Sequence, residues 1–534
     1  MDLIHKTIGE CLRERAILSG ESTAISMGSW SCTYAQMNKI TDLLALQMNQ
    51  YGIKKGTHVG IWSVNTPNWV FTFLALTKIG AIPVLINTCY KDMEVARVLN
   101  YADVEVLYYD AGCNTVHYED IIARIRDNVP GVRHFIHMDT KQNGTWMEET
   151  DFDDKVKSPD ALRELECAQK EVVPEDTACI IFTSGTSSFA KGVCLNHYNL
   201  VNNALAMVEA MHWTCEDKMC IVVPLFHCFG TTAGILACLM SGAEMVLLPR
   251  FKTSTVWNEL EKGRCTILNG VPSMFLALIR KKEHLHRHAG NLKSGIIAGS
   301  PISQAEYLEI CDRFPHMHLQ PSYGQTETSP CVTIANWDDS IDRKSKCAGS
   351  PIEHVKVRIA DINSGKVLET NHNGEIQVQG YNVMCGYYKL PEITAKAFTS
   401  DGWLRTGDIG FIDENGDLHV TGRLKEMIIR GGENISPNEI ESVIQECSWV
   451  DQVKVVGVPA DVLQEEIAAC IVPKPGCTIQ KEELLTFLKS KLARYKVPTY
   501  LLKFDSFPTT ASGKIQLEAV KSMAAEMIQQ GNSI

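Results

Sequence analysis

Parallel α/β sheets covered by helices, followed by a β-rich section and a compact α+β end, are what the chain predicts from three observations. Apolar β-rich runs alternate with helical periodicity over the first 350 residues, short turn-separated strands follow, and the last ~110 residues return to a mixed pattern. Strand–helix alternation of the first kind buries a parallel sheet between helices.

Residues 1–20 place Asp2, Lys6, Glu10, Arg13, Glu14 and Arg15 among apolar residues and read as an amphipathic opening helix, not a signal peptide. Residues 58–63 read as a strand, 68–79 as a helix and 82–86 as a buried strand. The theme repeats in strands at 104–109, 178–182, 219–223 and 244–248, with helices at 198–211 and 231–241. Strands at 355–359, 374–378 and 410–412 then suggest a β-barrel-like unit, with Asn415 and Gly416 signalling a type I′ hairpin. The end reads as a helix at 437–445, strands at 453–458 and 468–472, and a helix at 481–492.

Charge and cysteine content exclude several classes. A net charge of −12 argues against nucleic-acid binding, which needs clustered Lys and Arg. It leaves room for small anions held by backbone N–H groups and one or two cations. Nineteen scattered cysteines without a C-x-x-C suggest reduced thiols in the cytoplasm. The longest apolar stretch, 229–243, is too short to span a bilayer.

Four short segments carry chemistry. Residues 182–193 (FTSGTSSFAKGV) follow a strand and combine hydroxyls, glycines and Lys191, which suits a polyphosphate or a plain Ser-rich loop. Residues 323–327 (YGQTE) offer an aromatic ring, a hydroxyl and one carboxylate, which suits a nucleotide with Mg²⁺ or a turn. Residues 403–408 (WLRTGD) and 422–426 (GRLKE) pair an Asp with an Arg, as a ribose diol would need. Residues 508–514 (PTTASGK) place hydroxyls before Lys514.

Taken in order, these segments resemble the ANL superfamily of adenylate-forming enzymes, which includes acyl-CoA synthetases, luciferase and peptide-synthetase adenylation domains. The resemblance runs from Thr33 and Tyr34, through residues 78–81 (KIGA), to Lys514. Residues 196–203 (NHYNLVNN), 224–230 (PLFHCFG), 297–301 (IAGSP), 381–388 (YNVMCGYY) and 427–434 (MIIRGGEN) look most like medium-chain fatty acyl-CoA synthetases.

The resemblance implies an N-terminal domain, 1–424, of two parallel α/β subdomains plus the β-barrel-like subdomain. A mobile α+β domain, 425–534, hinges at Lys425. It also implies roles. Thr183, Ser184, Gly185, Thr186, Ser187, Ser188 and Lys191 would hold the β- and γ-phosphates of ATP. Gly299, Ser300 and Pro301 would face Tyr323 and Gly324 across the adenine. Thr326 would contact phosphate, and Glu327 with Thr186 would hold Mg²⁺. Asp408 and Arg423 would hold the ribose, and Lys514 would bridge carboxylate and α-phosphate. His227 would gate the acyl pocket, while Arg430, Gly431 and Gly432 would border the coenzyme A channel.

The implied reaction activates a carboxylic acid to an acyl adenylate and transfers it to coenzyme A. The region where amino-acid-activating relatives carry an acidic residue is here 224–229 (PLFHCF), without one. A medium-chain fatty acid or an aryl-alkanoate fits such walls better. A carrier-protein-loading ligase, a luciferase-like oxygenase and a non-catalytic acyl- or nucleotide-binding relative are the alternatives, and a homodimer is the open oligomeric reading.

The phosphate loop departs from the family's T-S-G-T-T-G-x-P-K-G pattern at Ser188 and Ala190. Weaker or more mobile ATP binding is the expected result, at a cost of about 1 kcal/mol for each change. His284, His286 and His288 alternate, but among charges they read as a solvated segment and not a metal site.

Overall fold

Uninterrupted runs of Val, Ile and Leu form the central strands of two sheets, because a strand buried on both faces has no polar side to show. The computed structural model describes residues 1–532 apart from 114–115, 139–145, 154–156, 184–189, 285, 431–432, 461–463, 493 and 511–513. A seven-stranded sheet runs in the order Gly386–Tyr387, Lys191–Asn196, Thr177–Thr183, Ile82–Leu85, His58–Trp62, Val106–Tyr109, His134–His137. From Thr177–Thr183 onward it is parallel. A nine-stranded sheet holds a parallel block of His318–Tyr323, Ser294–Ile297, Ile267–Leu268, Lys218–Ile221, Glu244–Leu247 and Thr23–Met27, with antiparallel strands at both edges.

The helix Pro67–Lys78 (PNWVFTFLALTK) is buried along all twelve residues. A helix that is apolar all round belongs inside. Its last residue, Lys78, is buried too, and its ammonium is matched by Asp42 at 2.7 Å and by Asn38. Desolvation lowers its pKa to about 8, against the pull of Asp42.

The barrel-like unit expected after residue 350 takes the form of a four-stranded antiparallel sheet, Val355–Ala360, Gly374–Gly380, Leu404–Ile412 and Leu418–Arg423. Its last hairpin differs from the type I′ expectation. Gly416 has φ +83° but Asn415 does not share the left-handed region. The Asp413 carboxylate accepts from the N–H groups of Asn415 and Asp417 at 2.9 and 3.0 Å. That side-chain turn favours an ordinary turn followed by one left-handed glycine.

The C-terminal unit pairs Val450–Ala460 with Gln464–Pro473 and adds Tyr500–Lys503 in parallel, with the helices Pro437–Gln445, Lys481–Lys491 and Leu517–Gln529 around it. Its apolar clusters, one around Ile440, Val455, Ile467 and Leu484 and another around Val456, Phe504 and Val520, draw on residues from Ile428 onward. The large core that joins both α/β sheets ends at Leu418. Among the described residues no buried apolar cluster crosses between them. No helix among these residues is long and apolar enough to cross a membrane.

The opening helix, Ile8–Leu18, is tied down by a buried histidine. Ile8 N–H donates to His197 Nδ1 at 3.2 Å. Burial lowers the His197 pKa from 6.5 to about 4, with Asp176 opposing and Lys55 assisting. The unfolded chain therefore takes up the proton first. This stabilisation is complete above pH 6.5 and is lost as pH falls toward 4, about 3 kcal/mol in all. In urea titrations across that window, His197→Asn is expected to lose stability less steeply than the wild type; equal slopes would contradict this account.

Candidate active site

Four parallel strands end on one side of the nine-stranded sheet: Lys218–Ile221, Ile267–Leu268, Ser294–Ile297 and His318–Tyr323. The residues just beyond them, including Val223, Pro224, Val271, Gly299, Gly324 and Thr326, line a cleft that is partly open to solvent. Carboxyl ends of strands are where open α/β sheets receive ligands. Met207 and Met274 close the cleft from the helices His197–Ala210 and Pro272–Arg280. His227, Cys228 and Phe229 enter it just ahead of Thr231–Leu236, a π-helical stretch where a single 231–241 helix was expected. Such widened turns recur at functional sites.

Lys514 reaches this cleft from the C-terminal unit. A methyl group placed on Gly299 (φ +88°) would stand 3.5 Å from its Cε and 3.8 Å from its Nζ, so the end of the lysine lies within van der Waals reach of this backbone turn. Desolvation lowers the Lys514 pKa, Arg423 adds to the effect, and Cys228 and Asp408 oppose it. His227 is driven down to about 3 by desolvation and by Lys514, so its imidazole is neutral at physiological pH. The Cys228 thiol, 3.6 Å from Thr326 Oγ1, is pushed up to about 11 by burial and stays protonated.

Beside the cleft, Asp408 and Arg423 sit opposite each other in adjacent antiparallel strands. Arg423 Nε lies 2.9 Å from Asp408 Oδ1, and the Tyr323 hydroxyl donates to Asp408 Oδ2 at 2.7 Å. Burial raises the pKa of Asp408, and Arg423 and Tyr323 pull it back. The hydroxyl of Tyr323 therefore has a structural partner that its place in the 323–327 motif did not reveal.

A second cluster lies at the junction of the two α/β sheets. Thr183 and Lys191 are paired across adjacent strands, and Thr183 Oγ1 donates to the Lys191 carbonyl at 3.4 Å. The Lys191 ammonium stands 4.1 Å over the ring of Tyr387, whose hydroxyl donates to Glu327 Oε1 at 2.9 Å. Desolvation lowers the Lys191 pKa; Glu327 opposes this and Lys425 adds to it. Lys425 thus lies within electrostatic reach, in the short helix Leu424–Glu426. Ser184, Gly185, Thr186, Ser187, Ser188, Gly431 and Gly432 lie outside the described residues.

Several expected site residues do not line this cleft. Arg430 is engaged inside the C-terminal unit, donating to Glu466 at 2.7 and 3.2 Å and to the Tyr495 carbonyl, and it does not line the cleft. Ser300 and Pro301 are exposed beyond the cleft wall. The wall itself is richer in aliphatic and sulfur side chains than residues 224–230 suggested, with Phe229 and His227 its only rings among the described residues. His284 is buried, contrary to its reading as solvated, with its ring 6.3 Å from Trp257, while His286 and His288 are exposed. Met207, Met274, Cys331 and Tyr387 were not foreseen as site residues. Only the helical spacing around Met207 hinted at a buried face.

Fold and cleft together define an enzyme that presents a cation from a small α+β domain to an apolar cleft in a large α/β domain. The chain belongs to the AMP-binding enzyme family, whose profile matches residues 12–388, and the AMP-binding enzyme C-terminal domain matches 439–514. It is 36% identical to the putative acyl-CoA synthetase YngI of Bacillus subtilis over 548 aligned positions, covering 100% of both chains. Human mitochondrial medium-chain acyl-CoA ligase ACSF2 is 32% identical, with 96% of this chain and 87% of the relative covered. Among solved structures, ATP-bound MatB from Rhodopseudomonas palustris superposes with a TM-score of 0.84 at 26% identity, covering 98% of this chain and 100% of that one.

Proposed function

We infer that the protein activates a carboxylic acid with ATP to an acyl adenylate and passes the acyl group to coenzyme A, releasing AMP and pyrophosphate. The observation that carries this reading is the Lys514 ammonium inside an apolar cleft bordered by Thr326 and Gly299. The acid's carboxylate would attack the α-phosphorus, and the bond to pyrophosphate would break. Lys514 would offset charge on the attacking and phosphate oxygens where little water screens it. Asp408 would accept hydrogen bonds from the ribose, with Arg423 and Tyr323 fixing its carboxylate. Neutral His227 would border the acyl group without adding charge.

Magnesium fits the residues present. Glu327 has one oxygen engaged by Tyr387, and no group of three or more His, Cys, Asp or Glu surrounds it among the described residues. A hard cation that keeps its waters and shares substrate phosphates needs just one or two protein carboxylates. Bound there, it would neutralise charge on the phosphates, and Thr186 is a second candidate ligand.

For the second half of the reaction, the domain from 425 onward would turn about Lys425. Lys514 would then leave the cleft, and the Gly431 and Gly432 loop would come to the thiol channel. The CoA sulfur would attack the acyl carbonyl and expel AMP.

The substrate class proposed is a medium-chain fatty acid. Met207, Val223, Val271, Met274 and Ile296 form an aliphatic lining with Phe229 and His227 as its aromatic rings among the described residues, and the human relative's name specifies medium-chain acids. An aryl substrate would call for more ring contacts. Nineteen free thiols favour a reducing compartment, and the cytoplasm is our proposed location. The test is AMP release with ATP and CoA over acids graded by length and ring content. Medium-chain acids should give the highest kcat/KM. A preference for long-chain or aryl acids would overturn the substrate class, and a lack of AMP release with any acid would overturn the function.

A further inference from the structure

We propose that Tyr387 is a positioning residue that holds the phosphate-loop cation Lys191 and the carboxylate Glu327 apart, each ready for its own part of magnesium-bound ATP. This rests on the reading above, in which Lys191 meets phosphate and Glu327 the metal.

The two charges attract each other, yet the partner that Glu327 Oε1 meets is the tyrosine hydroxyl and not the ammonium. Tyr387 stands between them and satisfies both. Its ring takes the ammonium at 4.1 Å, a cation–π contact, and its hydroxyl takes Glu327 Oε1 at 2.9 Å. One carboxylate oxygen is thereby turned toward the tyrosine and the other is left for a cation.

The spacer is itself fixed from two sides. Its strand pairs in register with Lys191–Asn196, Tyr387 opposite Val193. Its N–H donates to Thr394 Oγ1 at 2.9 Å in the helix Pro391–Ala397. Without the spacer, a lysine and a glutamate in a partly desolvated site would neutralise each other before nucleotide arrives. Groups that orient a metal's ligand in this way typically change metal affinity about 10–100-fold when removed.

Two variants separate the ring from the hydroxyl. ATP binding is measured by calorimetry without acid, at graded MgCl₂ and in its absence. Tyr387→Phe should keep metal-free ATP affinity, because the ring remains. It should raise the Mg²⁺ concentration that gives the half-maximal gain in affinity about tenfold. Tyr387→Leu should weaken metal-free ATP binding as well. A purely structural role would lower the melting temperature and leave the Mg²⁺ dependence unchanged, and that result for Tyr387→Phe would overturn the proposal. If the wild type bound ATP with no Mg²⁺ dependence at all, the underlying reading would fall with it. If the wild type responds to Mg²⁺ and Tyr387→Phe responds identically, the positioning role alone falls.

Discussion

Lys514→Ala is expected to lose a factor of about 10²–10³ in acid-dependent pyrophosphate exchange, the usual effect of removing one preorganised charge from a transition state. The same variant should convert a synthetic acyl adenylate and CoA to the thioester at close to the wild-type rate. The asymmetry follows from where Lys514 sits. It enters the cleft from the C-terminal unit, so if that unit turns away for the second half-reaction Lys514 would leave the site with it. Rapid-quench measurement of each half-reaction decides the point. A matched fall in both would mean that Lys514 stays in the cleft throughout, and the domain-turn proposal would have to be abandoned.

Asp408→Ala should raise the KM for ATP about 10²-fold and leave the KM for the acid nearly unchanged. The wild-type carboxylate is 5% exposed and already organised by Arg423 and Tyr323. Charge-assisted hydrogen bonds to a bound diol contribute about 1.5–3 kcal/mol each, and one to two of them account for the expected change. The variant also strands the Tyr323 hydroxyl without its acceptor, so a lower melting temperature should accompany the change. Steady-state kinetics with each substrate varied in turn separates the two. An equal rise in both KM values would point to a collapsed cleft instead of a lost ribose contact.

What the chain made legible locally was its motifs and the bounds of some helices. Residues 323–327 and 508–514 each also read as a turn or a tail; only their order along the chain, through the family resemblance, gave them expected roles. The helix at 437–445 was found with its bounds intact because Pro437 opens it. Partnerships made by strand pairing were not legible. Tyr387 meets Lys191 because Gly386–Tyr387 adds to the edge of a sheet, and nothing local to residues 381–388 foretells that. The strand expected at 453–458 extends to Val450–Ala460 because Gln464–Pro473 pairs with it along its length. Likewise, His284 reads as solvated from its charged neighbours, yet tertiary packing against Trp257 buries it. Nor does the motif at 427–434 foretell that strand pairing brings the Arg430 guanidinium to Glu466.

The division of the apolar cores between Leu418 and Ile428 has a consequence for salt. If the small domain turns in every catalytic cycle, none of the buried apolar clusters among the described residues need be split when it does. What must part is a polar rim, such as Arg280, which lies 3.7 Å from Asp451 of the small domain and is shared with Glu306 and Glu309. Exposed ion pairs contribute only about 0–1 kcal/mol each, and ions screen them. Ionic strength, more than any change in hydrophobic burial, would then set how readily the two domains let go of each other.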